Sequence, residues 1–393
     1  MRLPVPYCAV LLAAGLLRAV AASAGVLPED RADAMYHRYD GGDVTVDGPS
    51  ILVRKKFGEQ VSVSANYYVD MVTSASIDVK WLSGASEYKE ERAQTSFSAD
   101  YLRGKSTYSI SLINSKESDY VANTASFGIS EDMFGDLTTV SLGFSRAKDE
   151  VYKNVSINGV KQHDPVYGKR RVDHRSYRLG ISQVLTKHLI VGLNYEAQTH
   201  QGELGNPYRA IRSLSLAGNQ ALIAPEIYPN TRTTNAVAID ARYYLPYRAA
   251  LKGSYRFFAD TWGVAAHTAE IGYTHPWRAA WIFEGSYRHH RQSAADFYSD
   301  LFPRPNFQNF MARDRNLATM QDHSLHAGVS YELEKPWPWL EKGSVNLFID
   351  RIQFRFADFR DATRSQSDPT LLGREPLHRE SALVARFFVS VWF

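Results

Sequence analysis

Along most of this 393-residue chain, apolar and polar residues alternate with a period of two. Segment 249–261 is the clearest case. Ala249, Leu251, Gly253, Tyr255, Phe257 and Ala259 share one face, and Lys252, Ser254, Arg256 and Asp260 share the other. Segment 277–291 sets Trp277, Ala279, Trp281, Phe283, Gly285 and Tyr287 against Arg278, Glu284, Ser286 and Arg288. Val61, Val63, Ala65, Tyr67 and Val69 likewise oppose Ser62, Ser64, Asn66, Tyr68 and Asp70. Successive side chains of a strand point to opposite faces, so each segment predicts a β-strand with one greasy and one polar side. The same reading fits 95–102, 107–113, 123–131, 138–145, 175–183, 189–197, 236–245, 269–273 and 323–333. Segment 344–358 starts in one phase (Val345, Leu347, Ile349) and continues in the other (Ile352, Phe354, Phe356). A one-residue slip exchanges the faces, so a β-bulge is expected near Asp350–Arg351.

The connections fall into two alternating classes. Short ones are expected at Phe57–Gly58–Glu59, Arg103–Gly104–Lys105, Phe134–Gly135–Asp136, Leu185–Thr186–Lys187, Leu245–Pro246–Tyr247 and His275–Pro276–Trp277. Long ones rich in Asn, Pro, Arg and Gly span about 154–171, 202–232, 292–321 and 360–379. Tight periplasmic turns and long outer loops make this asymmetry in an outer-membrane barrel. Aromatics crowd the short-turn ends (Tyr101, Phe134, Tyr244, Tyr247, Trp277, Trp337, Trp339, Trp392 and Phe393), as in an interfacial girdle. Fourteen periodic segments lie from residue 61 onward. Residues 50–57 and a short stretch around Val44–Val46 would bring the total to sixteen, an even number that puts both ends on one side. The expectation is an all-β, transmembrane antiparallel β-barrel of about sixteen strands, with fourteen as the alternative. A soluble sandwich or propeller would have to pack all those greasy faces into a core.

The two ends of the chain agree with this. Arg2 precedes a short apolar run, Tyr7 to Leu17, and Ala22–Ser23–Ala24 offers a cleavage site, the pattern of a signal peptide over 1–24. No later run approaches the ~20 apolar residues of a membrane helix, so strands must do the crossing. Residues 25–48 then form a Gly- and Asp-rich lead-in and 49–393 the barrel. At the other end Phe387, Val389, Val391 and Phe393 are apolar on alternate positions and the chain stops on the ring. This resembles the C-terminal signal read by the barrel-assembly machinery of bacterial outer membranes, so the expected location is the cell outer membrane, with its lipid as surroundings.

Composition then excludes several chemistries. Cys8 is the single cysteine and lies in the leader, which removes disulfides, thiolate metal sites and a cysteine nucleophile. Lys and Arg number 45 against 42 Asp and Glu, with no block of one sign, so nucleic acid is not an expected partner. Mean hydropathy is −0.33, far below that of a helical membrane protein.

Several stretches carry a family likeness: Asp40–Gly41–Gly42–Asp43–Val44–Thr45–Val46–Asp47–Gly48–Pro49, Ser64 to Asp70, Phe134 to Gly143, Tyr243 to Ala250, Ala295 to Pro303 and Val389 to Phe393. Over essentially the whole mature chain they resemble an uncharacterised, domain-of-unknown-function family of Gram-negative bacteria whose members look like outer-membrane barrels. The resemblance implies no activity or ligand. It hints at a periplasmic, redox-related partner through neighbouring flavin-attaching or thioredoxin-like enzymes.

The candidate chemistry is sparse. His289 and His290 are adjacent, and His323 and His326 are three apart, so each pair divides between the two faces and cannot chelate one ion. Asp40, Asp43 and Asp47 lie among glycines and are the weak candidates for Ca²⁺, without EF-hand spacing. No cofactor is expected. The polar faces matter most. Asp70, Glu196, Arg242, Lys252, Arg256, Asp260, Glu284 and Arg288 should line the lumen, joined by Asp100, Arg178, Asp240, Glu270 and Arg386. They mix both signs, as a weakly selective channel or a self-neutralising wall would. Phe297, Tyr298, Phe302, Phe307 and Phe310 in loop 292–321 should pack into the outer mouth and narrow it. A rim hydrolase would need a pairing among residues such as Ser286, His290, Asp296 and Ser299, which no motif selects. The reading is therefore a pore for small polar solutes. The alternatives are a closed docking barrel serving a periplasmic system and, behind it, the rim hydrolase.

Overall fold

In the computed structural model, residues 25–42, 44–74, 89–157, 160–218 and 220–393 are described. The strands are β1 (Arg31–Gly41), β2 (Val44–Phe57), β3 (Val61–Ser74), β4 (Lys89–Arg103), β5 (Ser106–Lys116), β6 (Tyr120–Met133), β7 (Thr138–Val151), β8 (Asn154–Ile157), β9 (Val160–His163) and β10 (Arg170–Thr186). They continue with β11 (Leu189–Gly202), β12 (Ala210–Leu214), β13 (Ala221–Pro225), β14 (Thr231–Tyr244), β15 (Ala250–Asp260), β16 (Ala265–Trp277), β17 (Trp281–Gln292), β18 (Met320–Glu334), β19 (Lys342–Arg360) and β20 (Leu377–Trp392). Sixteen of them close an antiparallel barrel, while β8–β9 and β12–β13 are small hairpins within outer loops. Closure comes from β20, which pairs with β19 on one side and β1 on the other. No helix among the described residues is long and apolar enough to cross a membrane.

The alternation read from the sequence becomes two real surfaces. Ile110, Leu112, Phe97, Ile271 and Leu325 stand outward and exposed, as a lipid-facing belt requires. Across β16 to β20, outward residues form successive rows. Trp277, Trp281, Tyr331, Val345 and Val389 are in register near the short turns, followed by His275, Phe283, Val329, Leu347 and Phe387. The expected girdle residues Tyr101, Phe134, Tyr244, Tyr247, Trp277, Trp337 and Trp339 are all exposed at this end. The termini share it, since Arg31 pairs with Trp392. Between β4 and β5 the turn is only two residues, and Gly104 takes φ +61°, the left-handed backbone that a primed hairpin turn needs at its first central position.

Four expectations need correction. The barrel starts at Arg31, not at 49: β1 and the first part of β2 occupy the expected lead-in. The outward positions of β1 are Ala32, Ala34, Tyr36, Arg38 and Asp40, so polarity gives it little contrast between faces. No bulge interrupts β19 near Asp350–Arg351. The ladder runs unbroken there to both neighbours, and its register shifts only between Arg355 and Arg360. The phase change instead marks where the strand leaves lipid. Ile352, Phe354 and Phe356 face inward above the belt, and Ile352 joins Tyr39, Val44, Val46, Val72, Ala382 and Val384 in an apolar lining of the outer end. The turn expected at 275–277 lies one step later, with His275, Pro276 and Trp277 inside β16. Pairing with β15 ends at Thr274, so the missing N–H of Pro276 costs no ladder bond on that side. Finally, outer connections are not uniformly long, because 117–119 and 261–264 are tight.

Candidate functional site

The polar face of the strands is an inner wall of crossed charges. Lys252 reaches Glu270 at 3.0 Å, and Glu196 takes Arg178 at 2.9 Å and Arg256 at 3.8 Å. Arg288 lies 3.7 Å from Asp322, and Arg232 pairs with Asp260. Glu284 is 3.7 Å from His326, which is 2.6 Å from Asp350, itself 2.7 Å from Arg386. Asp70 meets His37 at 2.9 Å and Arg92 at 3.2 Å. His37 is on β1 and Asp70 on β3. Gly48 of β2 lies between them, and a Cβ there would stand 1.9 Å from the Val69 carbonyl oxygen, so only glycine allows this approach. Of the eight lumen candidates, Arg242 alone has no ion pair among the described residues, and it faces Lys252 across β14–β15. Arg178, Lys252 and Arg256 keep 52%, 46% and 44% of their side-chain surface exposed, so this part of the wall borders solvent-accessible space.

Other candidates separate. Asp40 and Asp47 both turn to Arg38, at 3.4 and 3.6 Å, and Asp43 lies outside the described residues, as does segment 1–24. Of the hydrolase residues, His290 takes Thr268 as partner at 2.8 Å and the Ser299 hydroxyl donates to the Leu301 carbonyl. Asp296 is exposed beside Gly263. No serine–histidine pair forms among Ser286, His290, Asp296 and Ser299. Sequence spacing also missed a relation between strands: His289 and His323 stand directly opposite on the outward face, with rings 4.7 Å apart.

The outer mouth holds a plug made by three loops, 203–230, 293–319 and 361–376. Phe297, Tyr298 and Phe302 pack into it as expected. Phe302 clusters with Ile211 and Met311, Phe297 with Trp262 and Leu317, and Tyr298 packs against the cluster of Ala318, Phe356 and Phe359. Phe307 and Phe310 are more open, at 46% and 42% exposed, and Phe310 keeps an edge contact with Phe297, with ring centroids 6.5 Å apart. The plug's centre is polar. Arg212, fully buried, binds the Asp300 and Glu375 carboxylates, and its Nε donates to the Asp300 carbonyl at 2.8 Å. Arg313 donates to the other Asp300 oxygen at 3.0 Å and to the Arg360 carbonyl at 2.9 Å. Arg360 in turn donates to the Glu375 carbonyl at 2.5 Å. Each loop thus supplies part of one network that none could satisfy alone. Periodicity cannot reveal this, because the residues lie in aperiodic loops.

Glu226, beside this network, accepts from the Arg313 backbone N–H at 2.7 Å and from the Tyr228 hydroxyl at 3.1 Å. Lost solvation drives its carboxyl up to about 7, with Arg209 opposing and Asp314 adding to the rise. The folded value lies above the ordinary 4.5, so the folded plug binds this proton more tightly than the unfolded chain. Its contribution is complete below the ordinary value and is lost as pH rises through about 7. Protease cleavage within 293–319 should therefore increase between about pH 5 and about pH 8, and Glu226→Gln should flatten that profile. A wild-type profile that is flat over this range contradicts the assignment.

A closed antiparallel barrel with an apolar outer belt, an aromatic girdle and a charged interior defines the class: this is an outer-membrane β-barrel protein. Residues 82–342 match the family described as "Protein of unknown function (DUF3570)", and the chain belongs to that family. No curated protein matches the sequence. Among solved structures it is similar to a bacterial polysaccharide outer membrane secretin, with TM-score 0.50 and 9% identity over 93% of this chain and 100% of that one. It is also similar to the siderophore receptor PirA from Pseudomonas aeruginosa, with TM-score 0.43 and 8% identity over 85% of this chain and 60% of the receptor. For the P. putida toluene transporter TodX the TM-score is 0.40 and identity 10%, over 93% and 90% of the two chains. At these identities the likeness concerns the fold alone.

Proposed function

We propose that the protein is a passive outer-membrane channel for small polar solutes, its outer mouth narrowed by a loop plug. The observation that carries this reading is the solvent-exposed set of paired charges on the inner wall: Arg178, Glu196, Lys252, Arg256 and Glu270. Sixteen strands leave a lumen wide enough for water, and charges held in a dry interior would carry a desolvation penalty of several kcal/mol each. Mixed signs favour weak selectivity over an anion or cation filter. The chain is exported by a leader over 1–24. It is inserted by the barrel-assembly machinery, which reads Phe387, Val389, Val391 and Phe393 on the terminal strand. Swelling of protein-loaded liposomes in sugars of graded size tests the channel. Monosaccharides should enter and larger oligosaccharides should not; absence of swelling in every sugar overturns the proposal.

One observation favours a second reading, a closed barrel that docks a periplasmic partner. The Arg212 network ties all three outer loops together and could seal the mouth. That reading requires no solute flux and a periplasmic protein held at the short-turn end.

A further inference from the structure

We propose that the outward face of β16 to β20, immediately above the lipid belt, is a binding site for phosphate-bearing headgroups of outer-leaflet lipid. One row of register partners runs His267, Arg291, Gln321, Arg355 and Arg379 across these five strands. The row beneath it carries His289 and His323. Arg351 comes next, directly between Leu325 and Leu383, which are 60% and 50% exposed. An arginine set between two lipid-facing leucines extends its guanidinium toward the headgroup level, keeping its stem in the apolar layer. Up to the Arg355–Arg379 row, the outward positions of the five strands include no Asp or Glu. None of the four arginines has an ion pair among the described residues.

The Arg355–Arg379 pair is the telling feature. Like charges directly opposite on a sheet destabilise it. Three other pairs of facing cations occur among the described residues: Arg146 and Arg175, both bound by Asp173; Arg31 and Arg54, with Asp33 at 3.2 Å from Arg31; and Arg242 and Lys252, with Glu270 at 3.0 Å from Lys252. Each of those pairs has a carboxylate on at least one member, whereas among the described residues neither Arg355 nor Arg379 has one. A dianionic phosphate ester fits the Arg355–Arg379 pair, since arginine forks hold phosphate oxygens in pairs. Its position commits the ligand to lipid: the cations border the acyl layer on the outer surface, outside the lumen. This holds whether or not the lumen conducts.

The test incubates the refolded barrel in neutral detergent with diphosphoryl lipid A and reads bound lipid by native mass spectrometry. Wild type should retain at least one molecule, with affinity falling as salt rises. The variant Arg291→Gln/Arg355→Gln/Arg379→Gln should bind at least tenfold more weakly, and the matching lysine variant should keep most of the binding. Arg38→Gln, already neutralised by Asp40 and Asp47, should change nothing. Circular dichroism of each variant verifies the barrel. Equal retention by the glutamine variant overturns the site. Displacement by equimolar inorganic phosphate overturns the lipid as its source, and equal binding of phosphatidylcholine overturns the requirement for net negative charge.

Discussion

Replacing Arg212 by alanine should open the outer mouth. The guanidinium is fully buried and holds Asp300 and Glu375, and Glu375 is itself fully buried. Removing one member of a buried ion network leaves uncompensated charge and costs about 3–5 kcal/mol. Arg313 still satisfies part of Asp300, so the strain falls on Glu375 and the 361–376 loop. The barrel itself should persist, because its sixteen-strand ladder does not depend on this contact. The expected result is a several-fold higher conductance with faster protease cutting in loops 293–319 and 361–376. Arg212→Ala with Glu375→Ala should recover part of the protection, since the orphaned carboxylate is then gone. If the single variant leaves conductance and cleavage unchanged, the network is not what holds the plug.

The second large effect is on selectivity. Arg256 and Arg288 project from the inner wall of β15 and β17, balanced by Glu196 and Asp322. Arg256→Glu with Arg288→Glu converts two positive groups to negative and leaves the two partner carboxylates facing like charge. At about 0.1 M salt the screening length is about 10 Å, so this cluster dominates the potential along its stretch of lumen. The reversal potential under a salt gradient should move clearly toward cations, and the glutamine pair about half as far. An unchanged reversal potential in a conducting double variant would place these residues off the permeation path.

Much of the barrel was legible because its physics is local. Alternation in 249–261 or 61–69 needs only neighbouring residues. Requiring an even number leads to sixteen strands, but it places a separate strand at Val44–Val46, which belongs to β2, where the additional strand is β1. Legibility failed where the surroundings change along one strand. β19 keeps a continuous ladder, but its inward side goes from Asn346 to Phe354 and Phe356 as it rises into the plug. That inversion imitates a bulge when lipid is assumed throughout. β1 was hidden because small and charged residues share its outward face. The individual lumen charges were readable, but their partners His37, His326 and Asp322 were not, since pairing depends on register. The plug was least visible: Arg212 and Glu375 are 163 residues apart, joined by loops with no period. The aromatic content of 292–321 signalled burial, yet could not say that Phe302 goes inside while Phe307 stays out.

The central claim is a water-filled lumen behind a plugged mouth. It is tested most directly by single-channel recording of the refolded protein in a planar bilayer, with Arg212→Ala alongside. Small, stable steps with weak selectivity in wild type, and larger ones in the variant, are the result this structure predicts. Silence from both, in barrels verified as folded, would contradict it and leave the docking barrel as the reading to pursue.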